Sequence, residues 1–222
     1  MIDYTIPEWE KSALLTVDVQ RDFTEPGGAM CIPGTLEAVP AMARLAAAYR
    51  AAHLPIVHIV RLYLPDGSNV DLCRRGQIES GVRMAVPGSE GSQVVSALLP
   101  QATVLLDTPL LLTGRPQPIG PREWILYKPR WGAFHNTGLE EHLRAMDVNT
   151  VVVCGCNFPN CPRATMYGAS ERDFRVVCVS DAISGAYELG LAELGRMGIR
   201  VLTSGECVRL VKDSQTSATD HQ

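Results

Sequence analysis

Three side chains of this 222-residue sequence offer complementary chemistry: the carboxylate of Asp18, the ammonium of Lys128 and the thiol of Cys161. The thiol is the most informative. It closes the stretch Gly155-Cys156-Asn157-Phe158-Pro159-Asn160-Cys161 and stands directly before Pro162. Proline is favoured at the first helical position, where its missing N–H would be unpaired anyway. The pattern therefore predicts a helix from Pro162 to Glu171 with Cys161 at its N-cap. A helix N-terminus carries partial positive charge and free N–H groups, which favour the thiolate, the form that attacks a carbonyl carbon. Most free cysteines are buried apolar side chains instead. Cys154 and Cys178, inside apolar runs, read that way. Cys156 and Cys161 occupy a strand-to-helix turn, where open α/β sheets bind their ligands.

The elements that must position these groups alternate between two periods. Ser12 to Val17 is a near-continuous apolar strand ending at Asp18, as expected of a central parallel strand covered on both faces. Pro55 to Val60, Thr103 to Leu106, Trp124 to Tyr127, Val151 to Cys154, Phe174 to Val179 and Arg200 to Thr203 are further strand-like runs. Helical patterns cover Leu36 to Ala52 (with Pro33-Gly34-Thr35 supplying the turn and an N-cap), Gly91 to Leu99, Asn136 to Met146 and about 187–196. Residues 113–122 are a proline-rich loop, and Leu62 to Glu90 is a polar excursion punctuated by Gly and Pro. Arg74, Arg75 and Arg83 in it can cap a site or meet a neighbouring subunit, although solvation is the default for any one of them. Repeated β–α alternation implies a three-layer αβα fold: a doubly wound, mainly parallel, six-stranded Rossmann-like sheet with ligands at the carboxyl ends of its strands. The polar segment 212–222 is expected to be a disordered tail.

Composition narrows the partners. Hydrophobic residues make up 46% and charged residues 20%, ordinary for a globular domain, and the net charge of −4 offers no electrostatic case for nucleic acid or an anionic membrane. No apolar run approaches the ~20 residues that span a bilayer, and Met1-Ile2-Asp3-Tyr4 does not resemble a signal peptide. Seven cysteines, an odd number without framework spacing, fit reduced thiols and a cytoplasmic location. Cys154-x-Cys156 has no second Cys/His pair at zinc spacing, so no metal and no cofactor is expected.

Asp18, Lys128 and Cys161 each fall at or just past the carboxyl end of a predicted strand, at one edge of the sheet. Asp18 can take the thiol proton, Lys128 can hold the carboxylate in place, Cys161 can attack, and N–H groups at the helix start can bind an oxyanion. Phe23, Trp131 and Phe134, near these residues in sequence, are pocket candidates. Phe158 can either reach the pocket or pack beneath the turn.

Four segments, LLTVDVQRDF (14–23), PGSEGSQVVSALLP (87–100), YKPRWGAFHNTGLEEHLRAMDVNTVVVCG (127–155) and GCNFPNCPRATMYGASERDFRVVCVSDA (155–182), resemble the isochorismatase-like cysteine hydrolase superfamily, which includes nicotinamidases and N-carbamoylsarcosine amidases. The resemblance implies one hydrolase domain over 1–211, with Asp18 as general base, Lys128 as second triad member and Cys161 as nucleophile. It also implies a cis peptide between Cys156 and Asn157, and an oxyanion hole made by the N–H groups of Asn157 and Cys161. A donor of that kind is typically worth about 3–4 kcal/mol in the transition state. The Asp-x-His metal cluster of nicotinamidases has no counterpart in HIVRLYLPDGSNVDLCRRG (58–76). The expected substrate is a small amide, lactam (as for streptothricin hydrolases) or ureido/carbamoyl compound, opened through a thioester, by a homodimer or homotetramer. A vinyl ether hydrolase of the isochorismatase type, or an inactive binding member of the fold, is the alternative; that hydrolase branch lacks the nucleophilic cysteine.

Overall fold

In the computed structural model, which describes residues 2–219, seven strands form one sheet: β1 (Ser12–Val17), β2 (Ile56–Val60), β3 (Gln117–Gly120), β4 (Glu123–Tyr127), β5 (Thr150–Gly155), β6 (Arg175–Ile183) and β7 (Arg200–Leu202). Their order is β3-β4-β2-β1-β5-β6-β7, parallel throughout except for the β3–β4 pair. The helices are α1 (Arg21–Thr24), α2 (Thr35–Ala51), α3 (Leu72–Glu79), α4 (Thr108–Leu112), α5 (Leu139–Arg144), α6 (Cys161–Ser170), α7 (Glu188–Arg196) and α8 (Ser204–Thr219).

The β-branched runs form strands because both faces of the sheet are covered. Leu14, Ile56, Val60, Val152 and Cys154 point to the layer where α2 and α8 pack with Met42, Leu45 and Val211. Ala13, Leu15, Val17, Val151 and Val153 point to the other layer, against Leu143 of α5, Met166 of α6 and Leu194 of α7. Chain order reverses at β1, which has β2 on one side and β5 on the other. That switch point is where a doubly wound sheet opens a crevice beyond its strand ends.

Several boundaries differ from the sequence expectation. The sheet has seven strands rather than six, and Thr103 to Leu106 is not among them: Leu105 stays two-thirds exposed and the segment lies outside the sheet. The edge strand is β3, drawn from the proline-rich loop, and its Pro118 is tolerated because an edge strand has one unpaired side. Residues 91–99 supply only a single 3-10 turn, Ser96–Leu98. The 62–90 excursion contains α3. Helix α5 starts at Leu139 because Asn136, at φ +51°, turns the chain just before it. Within the Pro33-Gly34-Thr35 turn, Gly34 is the N-cap of α2, and Thr35 Oγ1 donates to Ser184 Oγ at 2.9 Å. The polar segment after Lys212 is helical through Thr219, and residues 220–222 lie outside the described residues. No described helix is long and apolar enough to cross a membrane.

Candidate active site

Asp18 leaves β1 at φ +53°, a left-handed conformation that Asp tolerates better than most residues, with its N–H bonded to Ile59 O. Lys128 leaves β4 two strands away, its N–H on Val60 O. The two side chains meet over β2: Lys128 Nζ donates to Asp18 Oδ2 at 2.8 Å and to Arg130 O at 3.3 Å. Asp18 Oδ1 is buried without a hydrogen-bond partner.

Cys161 reaches the same place from β5. Gly155 ends that strand at φ +126°, where a Cβ would lie 2.2 Å from Val17 O; only glycine lets the chain pass so close to β1. The Cys156–Asn157 peptide is cis. Helix α6 then begins at Cys161 itself, with Asn160 as N-cap, so the thiol sits one position further into the helix than expected. Thr165 Oγ1 donates to Cys161 O and accepts from Ala133 N, tying the helix start to the loop after β4. The N–H groups of Asn157 and Cys161 donate to no acceptor among the described residues.

Field and burial oppose each other at the thiol. Burial pushes Cys161 up to about 11, the Asp18 carboxylate beside it adds to the rise, and Lys128 and Arg61 counter it. The position at a helix start favours the thiolate; in this closed site the cost of desolvating the anion is larger, and the resting thiol keeps its proton. Burial likewise pushes Cys156 up to about 12.

Arg61 is a site residue that the sequence does not single out. It follows β2 directly, is 2% exposed, and places Nη2 4.0 Å from Cys161 Sγ. Its Nη1 donates to Asp71 Oδ2 and Pro129 O, both at 2.9 Å. Burial works against the charge, yet Asp18, Tyr63, Cys161 and Asp71 around it hold its pKa above the ordinary arginine value. Gln20 fixes its backbone, accepting from Arg61 N at 2.7 Å and donating to Arg61 O at 2.8 Å. The available signal is positional: Arg61 stands one residue past a strand end, as Asp18 and Lys128 do.

A cavity of about 20 Å³ lies over Asp18, Asn157, Cys156 and Cys161. Phe23, Met30, Ile32 and Tyr63 form its apolar wall, and Arg61 and Arg74 its cationic one. That space holds about one water molecule, so a larger guest must displace wall side chains. Of the four pocket candidates, only Phe23 lines this cavity. Phe158 is fully buried beneath the turn and packs edge-on to Tyr187 at 5.4 Å rather than lining the cavity. Phe134 packs on Phe174 in the core. Trp131 lines a separate surface groove and reaches the cavity only through Arg74, whose guanidinium lies 5.2 Å from its ring centroid. Among the described residues no three His, Cys, Asp or Glu side chains converge as a metal site.

The geometry joins a carboxylate, two cations, a thiol and two free N–H groups at the switch point of an αβα sheet. Residues 12–206 match the family model of the isochorismatase domain, and the chain belongs to that family. Among curated relatives, a probable inactive nicotinamidase of Arabidopsis thaliana is 26% identical over 89% of this chain and 95% of its own length. A maleamate amidohydrolase of Pseudomonas putida is 29% identical over 83% and 79%. The crystal structure of an isochorismatase family protein from Desulfovibrio vulgaris superposes with a TM-score of 0.77 and 30% identity, covering 91% of this chain and 98% of the other.

Proposed function

We propose that this protein hydrolyses a non-peptide C–N bond of a small amide, with Cys161 as nucleophile, Asp18 as general base and acid, and Lys128 as the group that orients Asp18. The observation that carries the reading is the unpartnered, buried Oδ1 of Asp18 beside a protonated thiol, while Oδ2 is held by Lys128.

In the first step Asp18 accepts the Cys161 proton as Sγ bonds to the carbonyl carbon, so the thiolate forms only as it is consumed. The developing oxyanion accepts from the N–H groups of Asn157 and Cys161, which have no other partner among the described residues. Asp18 returns the proton to the nitrogen, the C–N bond breaks, and the amine leaves a thioester on Cys161. Water, deprotonated by Asp18, then adds to the thioester; the acid leaves and the thiol is restored. Lys128 and Arg61 keep the site positive enough for negative charge to develop on sulfur. The amidohydrolase activity in the name of the Pseudomonas putida relative, and the Cys161 thiol that a vinyl ether hydrolase does not need, both favour this chemistry.

Release of ammonia or amine from a panel of small amides by the wild-type protein, and its loss in Cys161→Ala with an unchanged circular dichroism spectrum, is the expected outcome. An active Cys161→Ala protein contradicts it.

A further inference from the structure

Charges at the site do not cancel. Lys128 is matched by Asp18 at 2.8 Å and Arg61 by Asp71 at 2.9 Å. Arg74, on α3 of the excursion, also lines the cavity, yet among the described residues it has no carboxylate partner. Its Nη1 faces two thioether sulfurs, Met30 Sδ at 2.8 Å and Met84 Sδ at 3.7 Å, and its guanidinium lies over the ring of Trp131. Thioether sulfur is a weak acceptor, and an indole face attracts a cation without neutralising it. The guanidinium fork is thus held in position by weak partners, half-buried, with its charge uncompensated beside the cavity. A carboxylate is the group whose two oxygens match that fork, and a charge-assisted bond to it is stronger than any contact Arg74 now makes.

We propose that Arg74 binds a carboxylate of the substrate, so that the molecules hydrolysed are small amides or ureido compounds that also carry an acid group within a few bonds of the scissile carbonyl. This rests on Cys161 as the point of attack: with the carbonyl there, whatever it is attached to meets the remaining lining of the same cavity. That lining offers apolar side chains, the neutral amide of Asn157 whose Oδ1 already accepts from Asn160, the Arg61 already paired with Asp71, and Arg74 as the cation without a carboxylate partner. Met30 yields its place on the guanidinium to the incoming oxygen, and Trp131 keeps the fork from swinging away. This gives Trp131 a positioning role through Arg74.

A pair of thiol reagents matched in size tests this even while the substrate is unidentified. Iodoacetate carries a carboxylate and iodoacetamide does not; each forms an S–CH2 bond with Cys161 and expels iodide. Labelling of Cys161 is followed by intact mass and peptide mapping at pH 8 in wild type, Arg74→Gln and Arg74→Lys. The iodoacetate-to-iodoacetamide rate ratio is expected to fall about tenfold in Arg74→Gln, the scale of one charge-assisted hydrogen bond, and to be largely retained in Arg74→Lys. The iodoacetamide rate serves as the check that the variant is folded around an intact thiol. An equal ratio in wild type and Arg74→Gln overturns the carboxylate site and leaves the nucleophile standing. A tenfold fall together with an active Cys161→Ala protein sustains the anion site and removes Cys161 from the reaction. Failure of both reagents to label Cys161 in wild type overturns both.

Discussion

Lys128 Nζ donates to Asp18 Oδ2 at 2.8 Å, and solvent does not reach the lysine. A buried pair of this kind contributes little net stability, because both ions are desolvated, but removal of one member strands the other. Lys128→Met is therefore expected to lower the unfolding free energy by about 3–5 kcal/mol in urea titrations. The double variant Asp18→Asn/Lys128→Met, which removes both charges, should recover part of that loss. Both proteins should be inactive. A loss in the double variant equal to the sum of the losses in Asp18→Asn and Lys128→Met alone would show that the two groups are not coupled.

The thiol sets a pH dependence. Burial pushes Cys161 up to about 11, and Asp18 contributes to the rise. Its alkylation by iodoacetamide should accelerate with pH through an inflection near 11, and Asp18→Asn should move the inflection down. An inflection below 8 in wild type contradicts this. The folded protein holds this proton more tightly than the unfolded chain does. The resulting stability is complete below the ordinary thiol value of 9.0 and is lost as pH rises through about 11. Burial pushes Cys178 and Cys207 up to about 12, which acts in the same direction. The urea midpoint should accordingly fall between pH 9 and 11.

Phe158 and Phe23 separate packing from binding. Phe158 is fully buried against Tyr187, whereas Phe23 faces the cavity. Phe158→Ala should cost about 3–5 kcal/mol of stability. Phe23→Ala should raise KM for a hydrolysed amide more than Phe158→Ala does. The reverse order of KM effects would return Phe158 to the pocket wall.

Much of this site is legible in the sequence because its parts follow strands whose apolar runs are unambiguous. Val17 precedes Asp18, Tyr127 precedes Lys128, and Val151 to Cys154 lead into the turn that carries Cys161. Parallel strands place their ends at one edge, so three separate positions along the chain converge. What sequence does not convey is which long side chains are buried. Arg61, Arg74, Arg75 and Arg83 look alike as residues in or beside a polar excursion, and solvation is the default for each. Burial of Arg61 depends on Asp71, Pro129 and Gln20, contacts made across up to 68 positions of sequence. The protonation of the thiol escapes a sequence reading for a related reason. Helix position is local and visible, whereas the desolvation that outweighs it comes from the whole cavity wall. The edge strand β3 is hidden because Pro118 reads as a loop signal unless its unpaired side is known.

The most direct test of the nucleophile is the mass of the chain during turnover. A hydrolysed amide is mixed with the protein, the reaction is quenched in acid before completion, and the intact chain and its peptides are weighed. The mechanism predicts an added acyl mass on Cys161, absent from Cys161→Ala and strongly reduced in Asp18→Asn. An acyl group found on Cys156 or any other residue, or hydrolysis at the wild-type rate by Cys161→Ala, would contradict it.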